Sequence, residues 1–289
     1  MTSGLQPARA AGSDHTGEMI RSIPACVTLG VRASGPGQPP GCRMDGTLPA
    51  LCEADGRFSR GAALILADQA LAAGVFAALA EPVAMMTLDL RLDWHGDLPA
   101  AADISFETHR AVHEGPHCFV EGRLLADGAL VATGTGRFLI GALPGGRIAE
   151  RQGTAISLPL STAAAFDDLL AMQPDGEGWR IESDLSLVGA RALPAYHGGF
   201  VAAVLEAATA RLAAGHRAVD IDVRYLRPAR ADLPMHIIAR PVRAGQLASV
   251  LDAEIRQGDA LVAVARALFS GAPAERGITH RFDQSDELC

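Results

Sequence analysis

The chain contains no lysine; all 25 of its basic side chains are arginine. That excludes Schiff-base chemistry and a phosphate-binding loop of Gly-Lys-Ser/Thr type, both of which need an ε-amino group. Aromatic residues are scarce as well, at 4% against a hydrophobic share of 49%. The core must therefore be built from Ala, Leu, Val and Ile. The five cysteines (Cys26, Cys42, Cys52, Cys118, Cys289) are odd in number, scattered and free of C-x-x-C spacing. A disulfide framework or a structural zinc site is not expected from them. No Gly-x-Gly-x-x-Gly follows a strand pattern, so a dinucleotide fold has no support. The net charge of -8 offers no general attraction to nucleic acid or to an anionic membrane. The first thirty residues lack the charged start and unbroken apolar run of a signal peptide, and a cytoplasmic location is expected. Gly61 to Ala80 is long and apolar, but Asp68 and Gln69 lie at its centre. A charge there is costly in lipid, so a buried helix is expected rather than a membrane span.

What is present is a repeat. Ser59-Arg60-Gly61 followed by AALILAD, ending at Asp68, reads like His197-Gly198-Gly199 followed by FVAAVLE, ending at Glu206, at an offset of 138 residues. TLDLRLDW, ending at Trp94, matches AVDIDVRY, ending at Tyr225, at an offset of 131. Val112-His113-Glu114-Gly115 pairs with Val242-Arg243-Ala244-Gly245, and ALVA at Ala129 recurs at Ala260. Four matches in one order indicate duplication, with a shorter helix-to-strand connection in the second copy. Each copy predicts one apolar helix, Arg60 to Leu79 and His197 to Ala214, with Gly215 as C-cap of the second. Alternating strands follow: Met86 to Trp94, Asp103 to Val112, His117 to Ala126 and Leu130 to Ile140. The second copy predicts Val219 to Leu226, Met235 to Val242, Ala248 to Gln257 and Ala260 to Phe269. A helix followed by an antiparallel meander is an α+β pattern, and helices apolar nearly all round suit enclosure by a curved sheet. The expected domains are 1–148 and 149–289, with the boundary near Gly145 to Gly153, where Pro144-Gly145-Gly146 and the polar Glu150-Arg151-Gln152 interrupt the pattern.

Asp68 and Glu206 draw attention because each interrupts a helix that otherwise buries itself, a costly placement unless the carboxylate is hydrogen-bonded or reaches a cleft. The glycines at the helix starts add unpaired N–H groups able to hold an anion, and let a ligand carbonyl approach the backbone.

His-Gly-Gly, a carboxylate nine residues after the His, and then a strand of TLDLRLDW type resemble the hotdog acyl-CoA thioesterases of the phenylacetate-pathway type. The resemblance implies two tandem hotdog domains, each a long helix wrapped by a curved antiparallel sheet, with active sites between them. It implies an acyl-CoA substrate carrying a small or medium acyl or aryl group, no cofactor beyond the substrate's own coenzyme A, no metal and a homo-oligomer. One unit would supply the His-Gly-Gly helix start as oxyanion hole, the other the helix carboxylate and a Ser or Thr on the next strand. The nearly complete combination is Asp68 and Thr87 facing His197, Gly198 and Gly199. The other, Glu206 facing Arg60 and Gly61, has Arg60 for the first glycine, Glu for Asp, and Ala218 aligned with Thr87. An asparagine that many members carry six residues before the His is replaced by Glu53 and Arg191. A non-catalytic acyl-CoA binder and a hotdog hydratase or dehydratase are the competing readings. His109, His113 and His117 have a metal-like spacing but straddle a turn signal. Arg224, Arg227, Arg230, Arg240 and Arg243 are candidates for the phosphates of coenzyme A.

Overall fold

The computed structural model describes residues 13–80, 83–141, 155–190, 194–213 and 215–271. In chain order, the helices are α1 (Ser13–Ile20), α2 (Pro24–Thr28), α3 (Arg60–Leu79), α4 (Phe166–Leu170) and α5 (Gly198–Leu212). In the first half the strands are β1 (Arg32–Ala33), β2 (Gly41–Asp45), β3 (Met85–Trp94), β4 (Asp103–Glu114), β5 (His117–Ala126) and β6 (Ala129–Ile140). The second half has β7 (Gln173–Asp175), β8 (Gly178–Ile181), β9 (Val188–Ala190), β10 (Ala195–Tyr196), β11 (Arg217–Tyr225), β12 (Met235–Arg243), β13 (Ala248–Gln257) and β14 (Ala260–Ser270). The two long helices and the eight long strands fall within three residues of the ranges read from the sequence. One detail differs: α5 ends on Ala213 as C-cap, and Gly215, with φ +81°, lies two residues beyond it. The expected domain boundary lies outside the described residues.

Twelve strands form one antiparallel sheet in the order β1-β2-β4-β5-β6-β3-β11-β14-β13-β12-β8-β7. β3 and β11 meet at its centre, and Arg91 on β3 stands directly opposite Asp222 on β11. These two residues are also equivalent at the 131-residue offset of the repeat, so an approximate twofold axis passes through that pair. The symmetry extends to defects. The β3–β6 register shifts between Thr87 and Asp89, and the β11–β14 register shifts at the equivalent Ala218 and Asp220. Bulges bend a strand and re-aim its side chains, so both copies turn the same position off the regular ladder.

Each long helix lies against the strands of its own half, and α3 also packs on α5. Ser59 caps α3 and His197 caps α5, each side chain accepting the N–H two residues on. Neither helix has a polar face to give to water, which explains why α3, long and apolar enough to cross a bilayer, has most of its side chains enclosed by protein. The helices approach most closely where Gly199 faces the backbone of Leu64 and Ile65; a Cβ there would collide with the Ile65 Cα. Gly199→Ala should therefore cost about 1–3 kcal/mol through overpacking. Denaturant melts of the purified variant check this, and an unchanged midpoint would mean that the helices do not meet so tightly.

Candidate active site

Asp68 sits in the middle of α3, 5% exposed, and both carboxylate oxygens are engaged. Oδ1 accepts the Thr87 hydroxyl at 2.9 Å, and Oδ2 accepts the Gly199 N–H at 2.8 Å. Thr87 reaches across because it stands at the β3 bulge, and Gly199 because it is the second residue of α5. The five residues Asp68, Thr87, His197, Gly198 and Gly199 thus converge from both halves of the chain. Gly198 explains its own glycine: a Cβ would come within 2.8 Å of Asp68 Oδ2. As the first residue of α5, its N–H has no carbonyl of the same helix to bond.

His197 is buried beside them. Its Nδ1 accepts the Gly199 N–H at 3.1 Å and lies 3.4 Å from Asp68 Oδ2, while Nε2 is 3.2 Å from Gln69 Oε1. Burial holds the imidazole pKa below its usual value, opposed in part by Asp68. A neutral ring that accepts at Nδ1 must carry its proton on Nε2. Both nitrogens are occupied in positioning, so the ring orders the helix start rather than presenting a free base.

Three residues of the site were not picked out from the sequence. Gln69 shares its Oε1 between His197 and the Cys26 thiol, 3.3 Å away. Tyr225 donates its hydroxyl to the Gly198 carbonyl at 2.9 Å, and burial, Asp68 and Asp89 push its pKa well above the ordinary range. The Tyr196 ring lines the same space, its hydroxyl turned away toward the backbone of Glu182 and Asp184. The chain has only two tyrosines, and both stand here; that scarcity was the available signal.

These groups line a cavity of about 270 Å³. Its far wall is apolar, formed by Met19, Ile23, Ala72, Phe76, Val83 and Met85. At its rim is Arg227, exposed and without an ion pair among the described residues. Of the arginine group read from the sequence, Arg224, Arg230 and Arg240 are paired with acids instead. His109, His113 and His117 stand exposed on β4 and β5, and the described residues hold no cluster able to bind a metal.

The pseudo-equivalent combination is built differently. Glu206 is buried on α5, but Ala218 supplies no hydroxyl to it, and Gly61 gives its N–H to Ser59 Oγ at 3.1 Å. The Phe166 ring lies against Gly61, where a Cβ would collide with it. Arg60 is drawn aside to Asp97 at 3.1 Å and over the Trp94 ring at 5.9 Å. The cavity that Glu206, Ser59 and Arg60 line, also about 270 Å³, has charged walls that include Glu53, Arg57, Asp167 and Arg211. Arg191, at the second asparagine position, lies outside the described residues.

Residues 190–270 match the sequence model of a family described as the acyl-CoA thioesterase N-terminal domain, here on the second half of the chain. No curated protein matches. Among solved structures, acyl-CoA thioesterase II TesB2 from Mycobacterium marinum is similar, with a TM-score of 0.53 and 13% identity, over 91% of this chain and 100% of that one. A Lactobacillus plantarum structure with a provisional oleoyl thioesterase assignment gives 0.59 and 12%, over 80% and 95%. A hot dog fold protein from Alicyclobacillus acidocaldarius gives 0.52 and 13%, over 88% and 98%. The fold is the α+β hotdog fold.

Burial raises the Glu206 carboxyl from 4.5 to about 7, with Glu53 and Asp167 adding to the rise and Arg60 opposing it. The folded chain therefore holds this proton more tightly than the unfolded chain does. The stabilisation from that proton is complete below about pH 4.5 and is lost as pH climbs through about 7. Glu206→Gln should flatten stability across that window and exceed wild type above it by up to roughly 3 kcal/mol. Urea midpoints from pH 4.5 to 8 measure it; parallel curves for the two proteins would contradict the assignment.

Proposed function

We propose that the chain is an acyl-CoA thioesterase, two hotdog units (1–148 and 149–289) sharing one working site, of which Asp68, Thr87, Gly198 and Gly199 form the reacting face. The observation that carries the reading is the Asp68 carboxylate held between the Thr87 hydroxyl and the start of α5, at the end of an apolar cavity. The thioester carbonyl oxygen would lie on the Gly198 N–H, where the helix start favours developing negative charge. Asp68 acts as general base from the cavity wall. Water then adds to the carbonyl carbon as Asp68 takes its proton; the C–S bond breaks, and the thiolate leaves with that proton as free coenzyme A thiol. His197 positions the helix start. The match over residues 190–270 to a thioesterase family model supports the same reaction, as does the phenylacetate-type motif pattern.

The cavity also bears on the acyl group. Asp68, Ala72 and Phe76 are spaced by four along α3 and share the cavity-lining face. Asp68 to Phe76 is a rise of about 12 Å, the reach of an extended chain of roughly eight to ten carbons. A small or medium acyl group, or an aryl one, fits between them, while Arg227 at the rim suits a phosphate of the coenzyme.

Thiol release from acyl-CoAs of two to sixteen carbons and from aryl-CoAs tests both parts. Asp68→Asn should lower kcat by ~10²-fold or more, on the scale of general acid–base catalysis, with Glu206→Gln near wild type. Phe76→Ala should move the preferred length upward by several carbons. Loss of turnover in Glu206→Gln alone would transfer the reaction to the other pair. Acyl-CoA binding without turnover in wild type would replace the hydrolase with a binding protein.

A further inference from the structure

The cavity beside Arg60 holds a carboxyl that the proposed reaction does not use. Glu206 is 8% exposed and lines that space together with Ala210, one turn further along α5. Among the described residues nothing hydrogen-bonds or ion-pairs with its carboxyl, and neither oxygen is sealed off from the cavity. The acid opens into the space with its hydrogen-bonding capacity unfilled, a costly arrangement in a folded chain.

The charges around it are unequal. Each arginine of the walls already has an acid: Arg57 pairs with Asp55 at 2.7 Å, Arg60 with Asp97 at 3.1 Å, and Arg211 with Asp167 at 3.2 Å. Glu53 and Glu206 are left over. Glu53 is near enough to raise the Glu206 carboxyl, and it too has no ion pair among the described residues. What the cavity lacks is positive charge. Leu98 and Phe166 supply apolar wall beside the acids.

The geometry points to this second cavity as a binding site for a small organic ammonium ion, its N–H groups on the Glu206 carboxylate and its short apolar body against Leu98 and Phe166. An ammonium group brings several donors to a carboxylate that receives none from the protein. Duplication thus left two cavities at equivalent places, one shaped for an acyl chain and one for a cation. The site does not depend on the thioesterase reading. Glu206 binds the cation as a carboxylate, so affinity rises as pH climbs through about 7, while an alkylammonium stays charged to about pH 10.

Calorimetric titration of the full chain with n-butylammonium and with butyrate tests this, in about 0.15 M salt to screen surface charge. The expected result is one saturable n-butylammonium per chain and no bound butyrate. Affinity should rise roughly tenfold or more from about pH 5.5 to about pH 8.5. Glu206→Gln should weaken it at least ~10-fold at the higher pH, while Asp68→Asn leaves it unchanged. Thermal melts verify that Glu206→Gln is folded; n-butylammonium should raise the wild-type midpoint at about pH 8.5 and not the variant's. No saturable binding to wild type, equal affinity in wild type and Glu206→Gln, or a preference for butyrate would overturn the assignment, and none of these outcomes bears on thioester turnover.

Discussion

The hydrogen bond from the Gly199 N–H to Asp68 Oδ2 joins the long helix of one half to the long helix of the other, and the remaining geometry depends on it. It requires two helices to approach at backbone distance, which only glycine permits at Gly199. It offsets the cost of a carboxylate in an apolar helix. It also uses one of the two N–H groups at the start of α5, which leaves Gly198 to face the cavity.

Duplication supplied that arrangement twice, and the two copies have since diverged in a physically coherent way. Where one has Thr87 at the strand bulge, the other has Ala218. One copy leaves glycine beside an open apolar cavity; the other sets the Phe166 ring against Gly61. Glu206, left without a hydroxyl partner, is held toward its neutral form by burial. The sheet does not share the divergence. Its central pairing of β3 with β11 is flanked by Arg91 with Asp93 and Asp220, and by Asp89 with Arg137 and Arg224. Their arginines remain partly open to solvent, so each pair contributes modestly by itself, but their opposite signs disfavour a slipped register.

Most of the fold was legible because the repeat tests itself: a helix read once in Arg60–Leu79 had to recur before Arg217. The short elements were not legible. β2 and β8 extend the sheet on each side with five and four residues, too few to show a period. In the site, Asp68 and the glycines of Gly198-Gly199 were readable because a charge and glycines broke an apolar pattern, whereas Thr87 and His197 were read from the resemblance to hotdog thioesterases. Gln69 was passed over because it stands next to the charge that explained the break. Tyr225 sits on a strand that looks ordinary, and its hydrogen bond to Gly198 belongs to tertiary packing alone.

Calorimetric titration with the S-octyl-CoA thioether distinguishes a single composite site per chain from two. One ligand per chain is expected, with binding lost in Gly198→Val, whose added side chain meets the Asp68 carboxylate. Two equivalent ligands per chain, or one ligand still bound by Gly198→Val, would contradict it.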